Sequence, residues 1–282
     1  MSQPGDSPLI VIDAHCHAGK GDGLVGPWDT DAPLQHYARR AAAAGIARTV
    51  LYPAFNSDYA RANRMLARIV SAGRPRYLGF AGVHPVADRG RVARLMGDAV
   101  ALGLRGIKAH RHDARLSREV CEAARIWRLP IVYDVMGEVS SVELFATEYP
   151  DVAFIIPHLG SFADEWRAQR AFIDILARHP NVHTDTSGVR RFDLLAEAVR
   201  RAGPAKVIFG SDGPWLHPGV ELAKVLALGL PAPALRSVLG GTVRSLLGRY
   251  RVSRTRVPGR MPDRPARFLP APADPWLPPS VA

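Results

Sequence analysis

Only two cysteines occur in 282 residues, Cys16 and Cys121, far apart in segments that read as a strand and a helix. A disulfide framework is thereby excluded, and both thiols are expected to be reduced. No apolar stretch approaches the roughly 20 residues needed to cross a bilayer. Residues 1–8, MSQPGDSP, lack the basic start and apolar run of a secretory signal. The expectation is a cytoplasmic protein with no membrane partner. No glycine-rich phosphate loop follows the first apolar run, which argues against a dinucleotide-binding open sheet. No DNA- or RNA-binding motif appears either. The net charge of +11 does not substitute for one, because residues 249–282 hold seven Arg, no Lys and two Asp, or +5 of that total. The other arginines fall mostly at helical spacing, as solvated faces do. Nucleic acid is not an expected partner.

What is present is a globular composition, 47% hydrophobic, and a repeating alternation. Eight short apolar or β-branched runs occur at 9–15, 48–54, 76–84, 104–110, 130–135, 152–158, 181–187 and 206–212. Runs of helical period separate them near 31–45, 57–73, 88–102, 117–128, 139–149, 164–179 and 189–203, with two more near 218–229 and 232–247. Such alternation predicts parallel strands joined by crossover helices, and eight units close a barrel with no open edge. The predicted fold is α/β, a single (β/α)8 TIM barrel over residues 9–248. An N-terminal extension at 1–8 precedes it and a Pro/Arg-rich tail at 249–282 follows. Asp31 and Ser117 read as helix N-caps. Eight Pro between 251 and 282, without any period, predict a disordered tail in which Phe268 and Trp276 are the residues able to dock.

Chemistry concentrates at the C-terminal ends of the runs. Asp13-Ala14-His15-Cys16-His17 ends the first, and residues two apart on a strand share a face, so His15 and His17 can hold one metal ion. His84 ends the third run, Lys108 and His110 the fourth, Asp134 the fifth, His158 the sixth and Asp212 the eighth. In a closed barrel these ends surround a single site.

DAHCH at 13–17, RGIKAH at 105–110, PHLG at 157–160 and FGSDGPW at 209–215 together resemble the amidohydrolase superfamily, in particular its amidohydrolase-related (amidohydrolase 2) branch. The resemblance spans about residues 9–248. It implies a divalent metal, most often zinc, with manganese or iron as alternatives, and a metal-activated water that cleaves a small amide, ester or lactone. Some members of the branch perform non-oxidative decarboxylation instead. Residue by residue, it implies His15 and His17 as metal ligands, Asp212 as ligand and proton shuttle, and His158 as ligand or as the group that polarises the substrate. Two departures stand out. Asp134, in PIVYD at 130–134, replaces a histidine common in relatives and would ligate through oxygen. GGT at 240–242 stands where relatives commonly carry Asn. The missing histidine keeps a degenerate, non-catalytic barrel as an alternative.

Lys108 has three readings: a carbamylated bridge between two metals, an anchor for a substrate carboxylate, or a salt-bridged rim lysine. With His110 and Trp215 it is expected to contact substrate. Lys108, Arg111 and Arg190 or Arg191 suggest an electropositive mouth and hence a small carboxylated molecule, with His110 and His112 bracketing Arg111 in a loop that would face it. His84 either shapes the pocket or caps a strand end. Trp166 reads as a helix residue, and His36, His179 and His183 as surface or packing residues. Homo-oligomerisation stays open.

Overall fold

The computed structural model describes residues 9–24, 31–162 and 165–249. The extension at 1–8 and residues 250–282, with Phe268 and Trp276, lie outside the described residues. Strands and helices alternate as β1 (Val11–Ala18), α1 (Leu34–Ala43), β2 (Ile46–Pro53), α2 (Tyr59–Ala72), β3 (Tyr77–Gly79), β4 (Ala81–Gly82), α3 (Val92–Ala101), β5 (Ile107–His110) and α4 (Arg118–Trp127). They continue as β6 (Ile131–Asp134), α5 (Ser140–Glu148), β7 (Phe154–Ile156), α6 (Trp166–Arg178), β8 (Val182–Asp185), α7 (Phe192–Ala202), β9 (Val207–Ile208), α8 (Pro218–Leu226), α9 (Ala232–Arg236) and α10 (Thr242–Arg249).

The helices form where apolar residues recur on one face. In α2, Tyr59, Ala62, Asn63, Leu66, Ala67, Ile69 and Val70 are buried, and Asp58 caps the first turn by accepting from Arg61 N at 3.1 Å. Ser117 caps α4 as expected, accepting from Val120 N at 3.4 Å. Asp31 does not cap α1: the helix begins at Leu34 behind Pro33, with no side-chain cap. The last helical run, 232–247, is broken by a π-type turn at Ser237–Gly241, which separates α9 from α10.

All strand pairings are parallel, in a sheet ordered β1-β2-β3 and a sheet ordered β4-β5-β6-β7-β8-β9. Nine strands replace the eight expected because the third run changes partner at Phe80. Phe80 N still donates to Leu51 O of β2, whereas Ala81 N donates to Gly106 O, just before β5. The expectation was an unbroken closed barrel. Among the described residues no regular ladder joins β9 to β1. Their ends meet instead through Ala14 N donating to Phe209 O at 2.9 Å, His17 N donating to Gly213 O at 2.6 Å, and a single parallel bridge between Cys16 and Gly213.

Burial falls into two layers. The larger packs strand residues such as Val11, Leu51, Ile107 and Phe154 against the helices. The smaller draws Ile12, Val50, Tyr52, Phe80, Val132, Ile155 and Ile208 from strands of both sheets and includes Val243 and Leu246 of α10. Strand side chains alternate between these layers, leaving the C-terminal strand ends to the polar residues. Cys16 and Cys121 are both buried and free. No helix among the described residues is long and apolar enough to cross a membrane.

Candidate metal centre

The expected simple alternation along β1 is interrupted. Asp13 pairs with Thr49 but Cys16 pairs with Leu51, so one extra residue sits in β1 opposite β2. A bulge of this kind re-aims the side chains around it. Ala14 stays in the inner layer and Cys16 in the outer. Here the imidazoles of His15 and His17 converge, with their Nε2 atoms 3.3 Å apart. Asp212 Oδ1 completes a triangle, 3.4 Å from His15 Nε2 and 3.5 Å from His17 Nε2.

The other ring nitrogens are already engaged. His15 Nδ1 lies 2.7 Å from Asp185 Oδ2, and His17 Nδ1 lies 3.3 Å from the carbonyl oxygen of Pro53. Both acceptors lack hydrogens, so each Nδ1 carries the proton in the neutral ring, and three lone-pair atoms then face one another with no hydrogen among them. Burial, with smaller contributions from His15 and Lys108, pushes His17 well below the ordinary histidine pKa. Three converging electron-pair donors suit a cation. Two imidazoles and a carboxylate suit zinc, whose bonds of about 2.0–2.2 Å to such ligands give tetrahedral ligand spacings of roughly 3.3–3.5 Å. The residues therefore fit the divalent metal that the sequence implies.

Asp185 was not singled out in the sequence, although it ends β8 as Asp134 ends β6. It is fully buried, and besides His15 it accepts from His158 N (3.1 Å), Ser187 N (3.1 Å) and Ser187 Oγ (2.6 Å). Burial alone would raise its pKa, but His15, His158 and Ser187 outweigh this and hold it far below the ordinary carboxylate range. A second grouping, His15, His158 and Asp185, also brings ligand-type atoms together. Its 2.7 Å contact is a hydrogen bond, shorter than two ligands of one ion tolerate. Asp13, at the start of the DAHCH motif, likewise acts through others. It accepts from His15 N, Ser211 N, Ser211 Oγ and Tyr37 Oη, buckling β1 to the segment that carries Asp212, and burial raises its carboxyl to about 6.

The remaining candidates divide. His158 and Asp134 stand beside the triangle rather than in it: His158 Nε2 is 3.4 Å from Asp134 Oδ2, which also lies 3.1 Å from His110 Nε2. Although burial works against it, Asp134, with Asp212 and Asp185, lifts His158 to about 9. Asp134 is itself held well below its usual range, because His110 and His158 outweigh its burial. His158 and Leu159 adopt left-handed backbone (φ 58° and 55°), as does Asp212 (φ 55°). Such backbone costs roughly 1–3 kcal/mol per residue and collects at functional sites. Gln169 steadies the His158 turn, donating from Nε2 to His158 O at 3.3 Å and to Ser161 O at 2.8 Å.

Lys108 is buried and lines the same cavity, its Nζ 5.1 Å from the centre of the Tyr52 ring. Burial lowers its pKa, against the pull of Asp134, Asp212 and Asp185. The cavity, about 530 Å³, is also lined by His110, Phe55, Met136, Phe162 and Trp215. The electropositive mouth is not assembled as expected. Arg111 is turned to Glu138 at 2.8 Å and Arg191 to Asp193 at 2.5 Å, and neither lines the cavity, nor do His112 and Arg190. Arg111 finds its carboxylate on the loop after β6, and Arg191 finds one in the first turn of α7. His84 caps the turn after β4, its Nδ1 accepting from Val86 N and Ala87 N. His36 is exposed, His179 half-buried against Glu143, and His183 buried on β8.

The family model described as amidohydrolase matches residues 12–249, the whole span that carries these strand ends. The chain belongs to the amidohydrolase family. Solved structures agree on the fold. An amidohydrolase from Burkholderia multivorans is 18% identical with a TM-score of 0.71 in crystals with bound HEPES. With bound zinc it is 19% identical at 0.70, and each comparison covers 85% of this chain and 99% of that one. A putative 2-pyrone-4,6-dicarboxylic acid hydrolase from Pseudomonas putida is 19% identical at 0.65, over 88% of this chain and 100% of that one. A 5-carboxyvanillate decarboxylase from Sphingomonas paucimobilis is 15% identical at 0.67, over 86% and 99%. No curated protein matches the sequence. In this amidohydrolase the two imidazoles of β1 and Asp212 thus form one triangle, with Asp134 standing beside it.

Proposed function

We propose that this amidohydrolase is a metal-dependent hydrolase on a (β/α)8 barrel, cleaving a small amide, ester or lactone that carries an acid group. The observation that carries the reading is the triangle of His15 Nε2, His17 Nε2 and Asp212 Oδ1 at the floor of a cavity, with separations of 3.3–3.5 Å. Zinc best matches two imidazoles and a carboxylate, and manganese or iron would use the same set. A cation held there supplies Lewis acidity, acidifying water and polarising a carbonyl. Asp212 takes the proton of the attacking water and returns it to the leaving group. His158, kept protonated beside Asp134, donates a hydrogen bond to the oxygen on which negative charge develops. Lys108 holds the substrate's acid group, and Trp215 and His110 wall the space above. A cytoplasmic setting is part of the proposal, and the two free buried thiols are compatible with it.

Decarboxylation is the second reading, favoured by one observation: the buried cation Lys108 lines the same cavity as the triangle, where a carboxylate could be gripped at both ends. Elemental analysis of wild type beside His15→Ala/His17→Ala comes first. About one equivalent of metal, absent from the double variant, is expected, followed by hydrolysis of lactones, esters or amides without carbon dioxide release. Carbon dioxide release from an aromatic acid selects the second reading. Wild-type protein that neither contains metal nor takes it up sinks both.

A further inference from the structure

The buried end of the cavity holds most of its polar lining. Its floor gathers the metal triangle, Lys108, His110, Asp134 and His158, whereas the wall above is aromatic and apolar. Trp215 stacks on His17 with centroids 4.6 Å apart, Phe162 meets the edge of His158 at 5.0 Å, and Phe55 meets His110 at 4.8 Å. Outward from these, Met136, Phe162 and Trp215 stay 44%, 45% and 41% exposed, although all three line one concavity. Met136 is held there by left-handed backbone (φ 47°), which a non-glycine residue rarely adopts. Large apolar side chains gathered at a cavity mouth mark a ligand that covers them.

Charge sets the direction of that ligand. Among the described residues lining the cavity, Lys108 is the one lysine or arginine, and it lies on the floor. At the rim the charged lining group is Glu165, a carboxylate. A second anionic group at the outer end would meet no cation among the described lining residues and would face Glu165. We infer that the substrate is a monoanion with an apolar body, its acid group down at Lys108 and an alkyl or aryl body running out over Met136, Phe162 and Trp215. This rests on reading the cavity as the active site, and it separates the chain's substrate from any dicarboxylate.

The test is binding of straight-chain monocarboxylates from butanoate to octanoate, and of the matching dicarboxylates, by titration calorimetry on wild type, Trp215→Ser and Phe162→Ser. A fully buried methylene contributes about fourfold to affinity and a partly covered one about twofold. Monoacid affinity is therefore expected to rise about two- to fourfold per methylene at one ligand per chain. Both variants should flatten that rise, and a far carboxylate should cancel it. Both side chains are partly exposed, so either variant serves if the other fails to fold. Affinity independent of chain length, a slope untouched in both variants, or tighter binding of dicarboxylates overturns the inference. The same series on His15→Ala/His17→Ala keeps the two readings distinct: the slope is expected to survive there although metal and hydrolysis are lost, whereas wild-type protein that neither binds metal nor hydrolyses, with the slope intact, refutes the hydrolase and not the apolar body.

Discussion

Replacing Asp185 by Asn isolates the carboxylate that aims His15. The substitution keeps shape, and the Asn carbonyl can still accept from His158 N and Ser187, the contacts now made by Oδ1. What changes is the 2.7 Å contact with His15 Nδ1. The amide NH2 there can only donate, so His15 Nδ1 becomes the acceptor and its proton moves to Nε2, where the metal must bind. Loss of such a carboxylate partner lowers metal affinity about 10- to 100-fold, or roughly 1.4–2.7 kcal/mol. Zinc affinity is read by competition with a chromophoric chelator at neutral pH, with circular dichroism confirming the fold. The His15 tautomer is read from its ring ¹⁵N shifts. A folded Asp185→Asn protein that binds zinc within twofold of wild type would refute the claim that Asp185 orients a ligand.

Two further outcomes follow from packing and charge. A Cβ on Gly210 would stand 2.9 Å from His15 Cβ and 3.3 Å from Asp185 Cβ, so Gly210→Ala should cost about 1–3 kcal/mol in urea unfolding and reduce bound metal. Unchanged stability together with full metal content would contradict that close approach. Burial lowers the half-buried Lys206 from 10.5 to about 8, while its Nζ donates to His179 O. The unfolded chain then binds the extra proton between about pH 8 and 10.5, so this group lowers stability fully below pH 8 and ceases to do so as pH rises through that window. After solvent screening the effect is about 1 kcal/mol. Lys206→Met should be the more stable protein at pH 7 and lose that advantage by about pH 10.5, whereas a pH-independent difference would rule out the charge as its cause.

The fold was legible in the sequence wherever one element carries its own period. Every strand and helix run has a counterpart, because an apolar stripe at helical spacing and a short β-branched run each reveal burial locally. Partner choice is different. The third run leaves β2 for the β5 side between Phe80 and Ala81, through backbone bonds that no side chain announces. His15, His17, Lys108, His110, Asp134, His158 and Asp212 all sit at the cavity, as strand-end polarity indicated, since such ends meet whatever their separation. Asp185 escapes because its run, NVHTDTS at 181–187, continues through Thr186 and Ser187, which places the carboxylate before the apparent strand end rather than at it, unlike VYD and GSD. The arginine mouth failed for the converse reason. Arg111 reaches Glu138 on the following loop, a contact that neither residue type nor spacing discloses.

The bond from Ser211 to Asp13 joins residues 198 positions apart, and the metal triangle closes across the same seam. Contacts of that sequence separation form late, since the entropy of closing so large a loop is lost before any packing returns it. During synthesis the first strand leaves the ribosome with both histidines and waits for nearly the rest of the barrel before its carboxylate partners arrive. A chain cut short ahead of Asp212 offers two imidazoles and neither the third ligand nor its buckle. The three atoms of the triangle are therefore brought together only once almost the whole barrel has been made.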